Sequence, residues 1–275
     1  MISRLRELLS YRELVESLVI RDLKVRYKGS ILGFLWSLLN PLLLMLVFTV
    51  VFTIMLPNMY IPKFPVFVLC ALLPWTFFTT SVSSSIQSIT GNGHLVKKVY
   101  FPREILPIST VLSNLANFIL SLPVLFLLIL IFRIPLNGWV VYLPLIILVQ
   151  LAFTLGIALI LATSNVFYRD TSIIMEVIIQ AWFFVTPVFY PVEVLPEWSA
   201  LWGISLPIRR LVYILNPMAS IIASYRSVLY GFIDGSPPAP PAWDFFSRTI
   251  VTALAFLLAG YLIFTRCSRS FAEEV

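Results

Sequence analysis

The feature that most constrains this chain is the recurrence of apolar runs about as long as a bilayer is thick. Six stand out, at about 33–55, 65–85, 108–132, 142–162, 173–189 and 249–264. A helix needs about 20 apolar residues to cross the hydrocarbon core. The composition agrees: 60% of the 275 residues are hydrophobic and 12% are charged, whereas a soluble protein is nearer half and a quarter. The expected fold class is an all-α polytopic membrane protein with six transmembrane helices. Length therefore does not convert into soluble domains at the usual rate, and no loop between the runs is large enough for a soluble enzyme domain.

The basic residues divide unevenly between the two sets of loops. One set holds Arg4, Arg6, Arg12, Arg21, Lys24, Arg26, Lys28, Lys97, Lys98, Arg103, Arg169, Arg266 and Arg269; the other holds Lys63, Arg133, Arg209, Arg210, Arg226 and Arg248. Excess Lys and Arg mark cytoplasmic loops, so both termini are expected in the cytoplasm. The first apolar run is too long for a signal-peptide core and follows a charged segment, so it is expected to stay as a span. Cys70 and Cys267 show no metal or redox spacing and read as small buried hydrophobes. His94, the single histidine, excludes a multi-histidine metal site.

Two segments do not fit a simple span-and-loop pattern. Residues 1–32 form a charged segment ahead of the first span. Ser10 and Glu13 match a capping box, with Leu9 and Leu14 as a staple, so a helix should start near Tyr11. Leu14, Val15, Leu18 and Val19 form a stripe at helical spacing, which predicts an amphipathic helix in the membrane interface. The second is the 190–248 region, too apolar for an aqueous loop. Residues 201–215 and 218–230 read as two short re-entrant or interfacial helices, punctuated by Pro207 and Pro217. The proline-rich stretch 235–243 then reads as a stiff linker to the last span.

Four stretches, in chain order, carry a resemblance. "RDLKVRYKGSILGFLWSLLNPLLLMLVFTVVF" (21–52) resembles the entry to the first span of ABC-2 type permeases that export bacterial polysaccharides, such as O-antigen, capsule and teichoic acid. "VKKVYFPREILPISTVLSNL" (96–115) is similar to that family's second cytoplasmic segment. "YRDTSIIMEVIIQAWFFVTPVFYP" (168–191) resembles its fifth span, and "NPMASIIASYRSVLYG" (216–231) its last periplasmic helix. The likeness implies a single transmembrane domain over 33–275, multi-pass in the bacterial inner membrane. It implies a transport subunit with no cofactor of its own, with ATP and Mg bound by a partner. Two copies pair with two cytosolic ABC ATPase subunits, and the substrate is a polyprenyl-diphosphate-linked polysaccharide rather than any nucleic acid. One point is independent of the likeness: none of the ten glycines is followed by lysine, so the chain lacks GxxxxGK[ST], the motif that cradles ATP phosphates.

Candidate functional residues follow. Lys97, Lys98, Tyr100 and Phe101 lie in the second loop between the breaking glycines Gly91 and Gly93 and Pro102, with Arg103 and Glu104 just after it. With Arg169 and Asp170, the resemblance makes them the surface that couples to the ATPase. Paired aromatics have little use in a solvated loop. Arg21, Lys24, Arg26, Tyr27 and Lys28 crowd the membrane entrance. They either anchor the chain on anionic lipid or also hold the diphosphate of the substrate, where arginine suits bidentate contact. Phe34, Trp36, Trp182, Phe183, Phe184, Phe189 and Tyr190 offer faces on which sugars can stack. They either line a channel or pack in the core and the interfacial aromatic belt. Glu176 is the one acid inside a span; it faces protein or water, or sits at the cytoplasmic interface. Arg209, Arg210 and Arg226 are outer-leaflet anchors or parts of a periplasmic gate. Two other classes are open: an ABC-2 exporter of a drug or haem, which shares the topology, and a membrane sugar transferase, which the isolated acids and the lack of a DxD pattern argue against.

Overall fold

The computed structural model describes residues 10–29, 33, 35–55, 61–99, 101–201 and 204–274. Helix α1 (Arg12–Tyr27) precedes α2 (Leu35–Val50), whose last turn, Val51–Met55, is π-helical. Then come α3 (Phe64–Ile86), the short α4 (Gly93–Lys98), α5 (Ile105–Ile131), α6 (Leu143–Phe167) and α7 (Thr171–Val185). A small antiparallel hairpin, β1 (Ser199–Leu201) and β2 (Ile204–Leu206), leads to α8 (Ile208–Leu215) and α9 (Pro217–Leu229). Helix α10 (Trp243–Cys267) and α11 (Phe271–Glu274) complete the chain.

Among the described residues, five helices are long and apolar enough to cross a membrane: α2 with its π turn, α3, α5, α6 with the 3-10 turn before it, and α10. The expected fifth span differs. Helix α7 has 15 residues, about 22 Å at 1.5 Å per residue, against a hydrocarbon core of about 30 Å. It stops at Val185 because Pro187 drives the residue before it out of the helical region: Thr186 has φ −90° and ψ 131°. The last span begins at Trp243 rather than 249, since the helix runs past the apolar window and through Asp244 and Arg248. The expected helix over 201–215 starts only after Pro207, and its first part is the hairpin.

Helix α3 is the axis of the bundle, packed against α2, α5, α6, α7 and α9. Its apolar window is 78% buried, while that of α2 is 6% buried, so α2 stands at the edge. Helix α9 is buried almost throughout and wedges between α3, α6 and α10. One polar chain ties these parts together. Gln150 of α6 donates Nε2 to the carbonyl of Pro74 at 2.7 Å, and the Tyr225 hydroxyl of α9 donates to Gln150 Oε1 at 2.8 Å. Gln150 and Tyr225 are fully buried. Each group has its partner, which is what a buried polar network needs.

Helices α6 and α10 form the most extensive pair, and glycine makes this possible. A Cβ on Gly156 would meet the backbone carbonyl carbon of Phe256 at 2.5 Å, and one on Gly260 would strike the Gly156 carbonyl oxygen. Small residues let membrane helices approach this closely. A second, smaller core joins Leu18 of α1, Val96 of α4, Ile105 and Leu106 of α5, Val166 of α6, and Phe264 and Phe271 near the C-terminus. Helix α1 therefore packs on α5 as well as presenting an outer surface. Its N-cap is Tyr11, with no side-chain cap bond, one residue after the Ser10 expected to cap it, and Leu9 of the expected staple lies outside the described residues. Replacing Gly156 or Gly260 with valine puts a side chain where backbone already lies. We expect either substitution to abolish monodisperse protein or lower its Tm by at least 10 °C, read by fluorescence-detected size-exclusion chromatography with heating, whereas Gly138→Ala, in open space, leaves both unchanged.

Candidate functional site

The end of the bundle that holds the second core gathers α1, α4, the α6–α7 turn and the C-terminus. Here Lys97, Lys98 and Arg169 line one open cavity of about 700 Å³ with His94, Asn165 and Glu274. Lys97, Lys98, Arg169 and Asp170 are exposed. The structure thus brings these three cations together. Their neighbours in the loop are placed differently. Phe101 packs half-buried on the second core rather than facing solvent, and Glu104 is buried. Arg103 donates to the carbonyl of Ser268, tying the loop to the C-terminal segment. Gly93 begins α4 instead of breaking a helix, and Pro102 lies before α5, which starts at Ile105. Tyr100 and Phe34 lie outside the described residues, as does the side chain of Tyr27. Helix α4 has six residues, too few to hold itself. Contact with α11, whose Phe271 is fully buried, supports it.

The basic cluster of α1 divides. Arg21, Lys24 and Lys28 line one open surface groove with Ser17 and Ile20, as their i, i+3, i+7 spacing dictates. Arg21 also pairs with Asp22 at 3.0 Å. Arg26 turns to another face and reaches a cavity between α2, α3 and α5.

The opposite end is built around the stop in α7. Arg226 of α9 is 8% exposed and pairs with no carboxylate among the described residues. Its Nη1 donates to the carbonyl of Pro187 at 2.6 Å, Nη2 to that of Val188 at 2.5 Å, and Nε to that of Phe67 at 3.3 Å. The guanidinium also lies 3.6 Å from the ring centroid of Phe67, a cation–π contact. Carbonyl oxygens of the non-helical backbone just past α7 are thus satisfied by a cation from another element. Asn216, the N-cap of α9, adds a second clamp: its Nδ2 donates to the Thr186 hydroxyl at 2.8 Å, and Trp182 Nε1 donates to its Oδ1 at 2.9 Å.

The proposed channel aromatics meet here in a packed cluster. Phe183 and Phe189 lie against Phe48 of α2 at 6.1 and 5.7 Å between centroids, and Trp182 packs edge-on to Phe78 at 5.2 Å. Phe189 and Tyr190 contact each other at 5.2 Å. Phe184 is 61% exposed and Trp36 50% exposed. Glu176 is exposed on the outer face of α7, with Gln180 one turn on. Arg210 is exposed; Arg209 clamps the segment ahead of the hairpin through the carbonyls of Glu193 and Leu195, both at 2.6 Å, and the Glu197 carboxylate at 3.3 Å.

These features are those of a helical membrane domain with a charged platform at one end and a helix stopped short at the other. The profile described as ABC-2 type transporter matches residues 13–230. The chain belongs to the ABC-2 type transporter family. It is 41% identical to the O-antigen export system permease protein RfbA of Myxococcus xanthus over 100% of both chains. Identity to a Klebsiella pneumoniae protein of the same name is 33%, over 92% of this chain and 91% of that one. The polysialic acid transport protein KpsM of Escherichia coli is 25% identical over 80% and 82%. Membership accounts for the absence of an ATP-cradling motif, since these relatives bear permease and transport names rather than those of enzymes.

The sequence reading missed Asn216, Gln150 and the Phe67 and Pro187 carbonyls that receive Arg226. Asn216-Pro217 is a legible helix-start signal, but a carbonyl partner leaves no trace in composition. Replacing Arg226 with Leu removes three donated hydrogen bonds and leaves buried carbonyls unpaired, a cost of about 2–4 kcal/mol. We expect a Tm loss of several degrees, while Arg210→Leu, at an exposed site, stays within a degree or two of the parent.

Proposed function

We propose that this chain is the permease half of an ABC exporter that moves a polyprenyl-diphosphate-linked polysaccharide of the O-antigen kind across the bacterial inner membrane. The observation that carries the reading is the end-to-end 41% identity with an O-antigen export permease. A second relative, at 25%, is named for polysialic acid transport, so named cargo across the range is polysaccharide rather than a drug or haem. That favours the polymer over the small-molecule exporter and the sugar transferase.

The structure supports a division of labour. The end carrying α1, α4 and α11 is the cytoplasmic end, where eleven of the 17 described basic residues fall and the positive-inside rule puts them. Two ATPase subunits dock there, one on each of two copies of this chain, against the cavity of Lys97, Lys98 and Arg169. The short α4 reads their motion, braced by Phe271. Two copies meet along α2 and α7. Both leave apolar side chains exposed, among them Leu43, Leu46, Val47, Ile174, Val177 and Phe184. Glu176 and Gln180 lie on the same face; a carboxylate turned to lipid costs a few kcal/mol, so this face borders protein and water. Arg226 and Asn216 fix the short α7 at the far end, near the exit, with Arg209 and Arg210 beside it. Substrate reaches the cytoplasmic end past Arg21, Lys24 and Lys28, which draw anionic headgroups at about 1 kcal/mol each.

The test is to co-purify the chain with its ATPase in nanodiscs and measure ATP hydrolysis against polyprenyl-diphosphate oligosaccharide. We expect several-fold stimulation. The double substitution Lys97→Ala/Lys98→Ala should lose stimulation or assembly, and Phe271→Ala should weaken coupling without unfolding the bundle. Stimulation by drugs in place of glycolipid points to the small-molecule exporter, and failure to associate with any ATPase sinks the transporter reading.

A further inference from the structure

The cavity reached by Arg26 is unlike the rest of the bundle. It lies between α2, α3 and α5, measures about 330 Å³, and falls at the small end of ligand-pocket sizes, about 300–1,000 Å³. Polar side chains enter its otherwise apolar walls from three spans: Asn40 from α2, Thr76 and Thr80 from α3, and Asn114, Asn117 and Ser121 from α5. The last three recur at helical spacing, so one face of α5 carries amides and a hydroxyl over about 10 Å of helix. A membrane helix with no use for such a face would carry leucine or valine there, because polar groups in hydrocarbon are costly unless partnered.

One of these groups lacks a partner. Asn114 is 2% exposed. Its Nδ2 donates to the carbonyl of Thr110 at 3.0 Å, which fixes the amide, and its Oδ1, buried at the cavity wall, accepts no hydrogen bond. Held by Thr110, the amide keeps in the cavity wall an acceptor that no described residue uses. Aromatic surface flanks it: Phe77 and Phe118 stack at 5.4 Å between centroids and both line the cavity, as does the exposed Trp36 at its mouth. Arg26, also exposed, stands at the same mouth.

From this juxtaposition we infer that the cavity is a binding subsite for a phosphate-linked polyhydroxyl headgroup, and specifically for the sugar nearest the diphosphate of the exported glycolipid. The inference rests on the polysaccharide reading above. Sugar hydroxyls donate to Asn114 Oδ1 and exchange hydrogen bonds with the other amides and hydroxyls. The apolar sugar face lies on the exposed Trp36, and the phosphate meets the guanidinium of Arg26, whose planar fork suits phosphate oxygens. A lipid tail is excluded by the same chemistry, since it leaves the buried acceptor unpaired. Arg26 belongs to α1, at the charged end of the bundle, so the subsite engages the headgroup where substrate arrives, apart from the aromatic cluster around α7.

Cysteine protection tests this on the complete permease–ATPase complex in phosphatidylcholine nanodiscs. Ser121→Cys is placed in a Cys70→Ala/Cys267→Ser background, and its rate of modification by a small water-soluble methanethiosulfonate is measured. The expected result is modification that polyprenyl-diphosphate oligosaccharide slows at least fivefold, and polyprenyl diphosphate without sugar slows far less. Adding Asn114→Leu should weaken the glycolipid's protective affinity about tenfold, as loss of one or two hydrogen bonds predicts; if that variant does not assemble, Thr80→Val gives the same reading. An unreactive thiol, or one that glycolipid leaves unprotected, overturns the subsite. Equal protection by phosphatidylglycerol also overturns it, in favour of an ordinary lipid site. ATP hydrolysis of the parent complex is followed in parallel. Glycolipid stimulation with an unprotected thiol defeats the subsite alone, whereas no stimulation defeats the polysaccharide reading itself.

Discussion

Buried backbone outside a helix needs partners for its carbonyl oxygens. In this protein Arg226 supplies them where the chain leaves α7. The guanidinium spans the carbonyls of Pro187 and Val188, just past the helix end at Val185, while lying on the ring of Phe67. Much of the architecture follows. Arg226 can reach that point only because α9 is buried between α3, α6 and α10. Helix α9 holds its place through Asn216, which grips Thr186 and Trp182, and through Tyr225, which donates to Gln150, itself bonded to the carbonyl of Pro74. The short α7, the buried α9 and the axial α3 are one interlocked unit. Moving α7 means breaking a charge-assisted set of bonds, so α7 moves together with α9 or not at all.

That rigidity contrasts with the other end. The second core is small and drawn from five separated pieces of chain, and α4 is held from outside by Phe271 rather than by its own length. A tight end and a lightly held end suit a part that must receive force at one side and transmit it to a helix bundle at the other. The Gly156–Gly260 crossing makes α6 and α10 a stiff pair between the two ends, because backbone against backbone leaves no side chain to repack.

Much of this was legible in the sequence, and the exceptions have physical causes. The apolar runs located all five long helices because a span's length is set by the solvent it crosses. Hydropathy could not see the true start of α10, since Trp243 to Arg248 continue the helix outside an apolar window. It also overran the end of α7, although Pro187 carried the signal: the constraint before proline is local sterics, and an apolar count ignores it. Lys97, Lys98 and Arg169 were legible as a set because charge beside a membrane has few uses. Arg226 was visible as an odd charge, but its partners are backbone atoms, which any sequence supplies everywhere. The polar face of α5 was there to be read at the spacing of Asn114, Asn117 and Ser121. It escaped notice because each polar residue taken singly is tolerable in a span.

The two polar features inside the bundle differ in a way that separates structure from function. Around Gln150 and Arg226 the donors have acceptors within the protein, and removing a member damages the fold. At Asn114 the amide is half satisfied, held by Thr110 and open on its other side. Evolution has cheaper ways to fill a position on α5 facing α2 and α3, and leucine is the obvious one. A complete network explains itself by stability. An incomplete one, flanked by aromatic rings and by Arg26, is not explained by stability alone, and it is this that sets the proposed subsite apart from the rest of the bundle.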